Sequence, residues 1–227
     1  MNYTIEFLSQ EWIRNTFFVL IVIIFFLLLG KFNNYKSNQV IAKSISLIVF
    51  ILTITSQIEY IINDKWIIQE HLLLHLCAIS QLIASLIFIL PKRNFFFEFL
   101  FYCGILGGLQ AILTPQLNYY DGSLFEYIEY YVTHTIIILL PLFLYFNLNM
   151  KLSKYSWFRI FTSLNVLMII IMPLNFMLES NYMYLNSPPE VDNPLIIGEW
   201  PIYLLFLEIF TITLFYLFFK LINPKLK

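Results

Sequence analysis

Residues 71–90 read HLLLHLCAISQLIASLIFIL, a run apolar enough for lipid that nevertheless carries two of the chain's three histidines and one of its two cysteines. An imidazole in hydrocarbon is costly unless it meets a polar partner or a wet cavity, so this segment predicts a membrane helix with one chemically occupied face. Successive helical residues turn by about 100°. Ser80 and Gln81 therefore share a face with Cys77, while His71 and His75 lie one turn apart. His75, two residues before Cys77, lies about 200° round the helix from it.

The rest of the chain has the same character. Of 227 residues, 60% are hydrophobic and only 12% charged. So few charges cannot solubilise a domain of this length, and the class is integral membrane protein. A transmembrane helix needs about 20 predominantly apolar residues. Seven segments qualify: 12–31, 39–62, 69–91, 95–114, 124–147, 156–178 and 200–222. The expected fold is all-α, one domain over 1–227, a bundle of seven transmembrane helices. The N-terminus MNYTIEFLSQEWIRNT lacks a basic leader and a small-residue cleavage site, so the first span is expected to be retained. Cys77 and Cys103 both lie in apolar runs and make no disulfide framework.

Orientation follows from lysine and arginine. Lys31, Lys36 and Lys43 flank the first connection, Lys92 and Arg93 the third, Lys151, Lys154 and Arg159 the fifth, and Lys220, Lys225 and Lys227 the tail. Only Arg14 and Lys65 of the 13 basic residues fall on the other side. That side collects Glu11, Asp64, Asp121, Glu126 and Glu129. The N-terminus is expected outside and the C-terminus in the cytoplasm, in a multi-pass protein whose Ile, Phe, Asn, Lys and Tyr content fits an AT-rich bacterium and hence its plasma membrane. The longest connection, 178–199, is broken by Pro188, Pro189 and Pro194 and reads equally as a cap over an outward cavity or as an ordinary loop.

Depth gives the polar residues a common address. Cys77 lies roughly 8–12 Å below the outer surface and His134 roughly 15 Å by helical rise. Glu59, Gln110, Thr114, Asn175 and Glu208 also fall in the outer halves of their spans. One polar layer results, which is a site. His134 is the better base for Cys77 than His75. Metal binding by His71 and His75 with Glu59 or Glu208 is the weaker reading, since no HExxH pattern is present, and no metal or cofactor is expected. Gly104, Gly107 and Gly108 read as close helix packing, and Cys103 as a buried core residue. No P-loop or dinucleotide fingerprint occurs, and no nucleic-acid partner is expected.

The strings HLLLHLCAIS, GLQAILTP, EYYVTHTIIILLP, NFMLESNYMYLNSPP and GEWPIYLL, in this order, resemble the YwaF family of bacterial membrane proteins, itself similar to the eukaryotic transmembrane protein 164 family. The resemblance implies a cysteine-dependent acyltransferase that remodels phospholipids, with Cys77 as nucleophile and His134 as base. Phospholipid and lysophospholipid would then be the partners, besides the bilayer. Ser80, Gln110 and Asn175 are the candidate oxyanion donors, Glu208 or His75 the group orienting His134, and Tyr182 and Tyr184 the headgroup contacts. Two rival readings are a lipid hydrolase with water as acceptor, and a transporter or receptor-like bundle built around Glu59, Glu208 and the histidines.

Overall fold

The computed structural model describes residues 2–118, 120–190 and 195–222. Pro194, Lys225 and Lys227 lie outside the described residues. Helices dominate: α1 (Gln10–Phe32), α2 (Tyr35–Ile62), α3 (Leu76–Leu86), α4 (Arg93–Phe99), α5 (Ile105–Leu113), α6 (Leu124–Leu148), α7 (Ser156–Leu178) and α8 (Ile202–Ile222). A π-helical stretch, Leu100–Gly104, joins α4 to α5 without a break. Counting α4 to α5 as one, six helices among the described residues are long and apolar enough to cross a membrane.

Sequence signals explain the boundaries. Ser9 caps α1, its hydroxyl accepting from Trp12 N–H at 3.2 Å, with Glu11 in the first turn and Lys31 in the last, as the helix dipole favours. Asn34 caps α2 through Ser37 N–H at 2.9 Å, and Ser123 caps α6 through Glu126 N–H at 3.4 Å. A two-residue bridge pairs Tyr3 with Leu117 and Thr4 with Gln116, tying the N-terminal segment to the α5–α6 connection.

The segment expected as one helix over 69–91 is corrected. Only Leu76–Leu86 is helical, 11 residues, which spans roughly 16 Å against a hydrocarbon core of about 30 Å. The preceding stretch, 65–75, is irregular because side chains take its backbone groups. The Tyr182 hydroxyl donates to Ile68 O at 2.6 Å and accepts from Leu72 N–H at 3.0 Å, and Ile67 N–H donates to His71 Nδ1 at 3.1 Å. Satisfied in this way by protein, non-helical backbone is tolerated at membrane depth.

The chain forms two compact units: Met1–Asp64 with Leu76–Lys151, and Lys65–His75 with Leu152–Lys227. In the first, α6 is the hub and touches α1, α2, α3 and α5. Its residues 133–141 are all buried, and within them 136–141 are apolar on every side rather than striped. Pro141 lacks the N–H that would bond Ile137 O. Gly104 faces that carbonyl: a Cβ on Gly104 would stand 2.9 Å from it. The π-helical stretch thus ends where α6 has a buried backbone oxygen without its usual helical donor. At the other end of the hub Gly30 packs on Asn147, and Asn38 Nδ2 donates to Gly30 O at 2.8 Å.

In the second unit α7 and α8 pair, with Asn165 Nδ2 donating to Glu208 Oε2 at 2.9 Å. The described part of the 178–199 connection is a folded cap on the end of α7, held by side-chain hydrogen bonds. Asn175 holds it: its Nδ2 donates to Tyr182 O, and its Oδ1 accepts from Tyr182 N–H and from the Ser180 hydroxyl, each at 2.9 Å. Trp200 Nε1 donates to Leu185 O at 2.7 Å, and the Tyr203 hydroxyl to Tyr184 O.

Candidate functional site

Within the first unit, Cys77 stands in the first turn of α3, and Gly107 of α5 lies directly opposite: a Cβ there would come within 3.3 Å of the Cys77 sulfur. The next residue, Gly108, faces α6, where its Cβ would meet Ile138 Cγ1 at 2.6 Å and His134 O at 3.1 Å. Neighbouring Cα atoms are about 3.8 Å apart. One step of α5 therefore touches both the cysteine and the backbone of the histidine.

The cysteines differ in access. Cys103 is fully buried inside the π-helical stretch, whereas Cys77 is only partly buried. A nucleophile needs approach by its substrate, so Cys77 is the available one.

His134 is buried, and its Nδ1 stands 2.6 Å from Tyr130 O. A carbonyl oxygen only accepts, so the hydrogen is on Nδ1 and Nε2 carries the lone pair. The Tyr130 ring packs on the imidazole, centroids 4.3 Å apart, and its hydroxyl donates to Ala111 O at 2.9 Å, pinning α6 to α5 beside the glycine step. The group that orients His134 is thus a carbonyl one turn back in its own helix.

The other expected residues are placed as follows. Ser80 is buried beside Cys77, but its hydroxyl hydrogen goes to Leu76 O at 2.8 Å. Gln110, one turn after Gly107, is half-buried. Asn175, Tyr182, Tyr184, His75 and Glu208 belong to the second unit. There Asn175 is committed to the cap, and Glu208 to Asn165. Tyr182 is fully buried. His75 Nδ1 accepts from Met183 N–H at 3.2 Å and its ring packs between Tyr182 and Tyr184, centroids 5.1 and 5.5 Å away. It therefore carries its hydrogen on Nε2, the opposite tautomer to His134.

Sequence reading missed Tyr130, whose role rests on a backbone oxygen that any residue type supplies. It also took Gly107 for packing alone, because spacing does not say which neighbour a glycine faces.

Six long apolar helices and a short apolar helix among the described residues, with many exposed Phe, Ile and Leu side chains, define a multi-pass membrane protein. The match of a family model over residues 7–219, nearly the whole chain, makes it more particular: the chain belongs to the TMEM164 family. No curated protein and no solved structure matches it.

Proposed function

We propose that the protein is a membrane-embedded acyltransferase that moves a fatty acyl chain from a phospholipid, through a thioester on Cys77, to a lysolipid or other lipid acceptor. The observation that supports the reading is the Gly107–Gly108 step of α5, which lies against a partly buried cysteine at one residue and against the backbone of a histidine at the next, that histidine having its Nδ1 hydrogen on Tyr130 O and a lone pair on Nε2.

The chemistry balances on these two side chains. His134 Nε2 takes the thiol proton while the sulfur attacks the ester carbonyl, and the carbonyl π electrons move to oxygen. Collapse of the tetrahedral intermediate breaks the C–O bond. The leaving lysolipid alkoxide recovers the proton from Nε2, and the acyl chain stays on sulfur. An acceptor hydroxyl then gives its proton to the same nitrogen and attacks the thioester. The C–S bond breaks, and the thiolate regains the proton. With the Ser80 hydrogen spent on its own helix, Gln110 is the expected donor to the oxyanion.

Charge placement favours an outer N-terminus and a cytoplasmic C-terminus, which needs an odd number of crossings. Residues 65–92, an irregular stretch followed by α3, supply the seventh as a broken span, and the ester carbonyls met at the level of Cys77 are then those of the outer leaflet. The membrane is the plasma membrane of a bacterium.

The test is acyl transfer from a fatty-acyl-labelled phospholipid to lysophospholipid in reconstituted vesicles. Cys77→Ala and His134→Ala are each expected to abolish transfer while keeping the wild-type melting midpoint. Normal turnover in either variant overturns the reading. Labelled free fatty acid in place of labelled acceptor identifies a hydrolase.

A further inference from the structure

Gln81 is nine-tenths buried, at 9% exposure, yet its side-chain amide has no hydrogen-bond partner among the described residues. Its backbone carbonyl accepts from the Ser85 hydroxyl at 2.7 Å, which leaves the amide itself uncommitted. An amide that no protein group engages keeps its N–H donors for a bound substrate. The position is informative. Gln81 follows Cys77 by four residues on α3, so the two project from the same face about one turn apart, their Cβ atoms about 6 Å from each other.

The hydroxyls that lie nearest in sequence to Cys77 and His134 have their hydrogens committed. Ser80 donates to Leu76 O at 2.8 Å, Thr133 to Glu129 O at 2.8 Å and Thr135 to Tyr131 O at 2.6 Å. Two side-chain amides remain, Gln81 on α3 and Gln110 on α5. Gln110 follows by one turn the glycine that faces the Cys77 sulfur.

Resting on the acyltransferase reading, we propose that Gln81 is a catalytic residue of the same site: its side-chain N–H donates to the carbonyl oxygen of the ester as that oxygen becomes negative, forming with Gln110 a two-donor oxyanion hole. The donor serves both halves of the reaction, since the thioester passes through the same oxyanion. In the free enzyme the amide is unpaired, and the oxyanion completes it. Catalysis gains from such an arrangement because the bond is made fully only in the transition state.

The experiment follows thioester formation on Cys77 by intact-protein mass spectrometry with dioleoyl phosphatidylcholine, in wild type, Gln81→Met and Gln81→Asn. Methionine keeps the length and volume of glutamine and removes the donor. The rate of adduct formation is expected to fall about 100-fold in Gln81→Met. Alkylation of Cys77 by iodoacetamide, which passes through no oxyanion, is expected to stay within about twofold of wild type and certifies that the site is folded. Gln81→Asn, which keeps an amide on a shorter arm, is expected to fall between the two. Equal adduct rates in wild type and Gln81→Met overturn the Gln81 assignment alone. A parallel loss of alkylation and adduct in both variants also overturns it, because the residue is then structural. Absence of any adduct on the wild type overturns the acyltransferase reading and this inference with it.

Discussion

At the scale of single residues, the tautomer of His134 decides what the imidazole does. With its hydrogen held on Tyr130 O, the ring presents a lone pair from Nε2, and the packing of Tyr130 limits its rotation. Replacing Tyr130 by phenylalanine keeps the carbonyl and the ring but leaves Ala111 O without the hydroxyl that bonds it. A loss of about 1 kcal/mol in stability is expected, read as a lower melting midpoint in detergent, with acyl transfer retained. Gly107 makes a sharper prediction. A methyl group there lies 3.3 Å from the Cys77 sulfur, so Gly107→Ala is expected to slow alkylation of Cys77 several-fold while leaving the fold intact. Unchanged alkylation would show that the sulfur is approached from another side. Cys103→Ala, which removes a sealed thiol, is expected to leave acyl transfer in place.

At the scale of elements, the close approaches follow from what is missing rather than from what is present. Pro141 frees a carbonyl on α6, and Gly104 closes on it at the end of the π-helical stretch. Gly108 meets side chain and backbone of α6 at once, so Gly108→Ala is expected to destabilise the protein by about 1–3 kcal/mol, more than Gly107→Ala, as thermal melting would register. Asn175 is the equivalent keystone of the second unit. Asn175→Ala strands the buried N–H and C=O of Tyr182 and is expected to cost about 2–4 kcal/mol, seen as faster proteolysis within 179–190. Outside 69–91 the helix boundaries were largely legible in the sequence, because runs of apolar residues act locally. The irregular 65–75 stretch was not. Its backbone is satisfied by Tyr182, more than a hundred residues away, and no local signal announces that bond. The same holds for Asn175, read from its depth as a site residue and found as the anchor of a cap.

At the scale of the whole molecule, the chain is a multi-pass membrane protein of the TMEM164 family, and the asymmetry of lysine and arginine predicts a cytoplasmic tail. A C-terminal alkaline phosphatase fusion is expected to be inactive and a C-terminal green fluorescent protein fusion bright; the reverse would place the tail outside and give residues 65–92 no crossing to make. Depth and motif both proposed Cys77 and His134, and in the described structure Gly107 of α5 faces the Cys77 sulfur while Gly108 faces the backbone of His134. What sequence alone left open, the atom that holds the His134 imidazole, lies in the backbone. The most direct test of the account is the intact mass of the purified protein after incubation with phospholipid at mildly acidic pH, where a thioester survives. An added fatty-acyl mass on wild type and on Cys103→Ala, released by hydroxylamine and missing from Cys77→Ala, is the predicted result; an unmodified wild type, or an adduct that persists in Cys77→Ala, would contradict it.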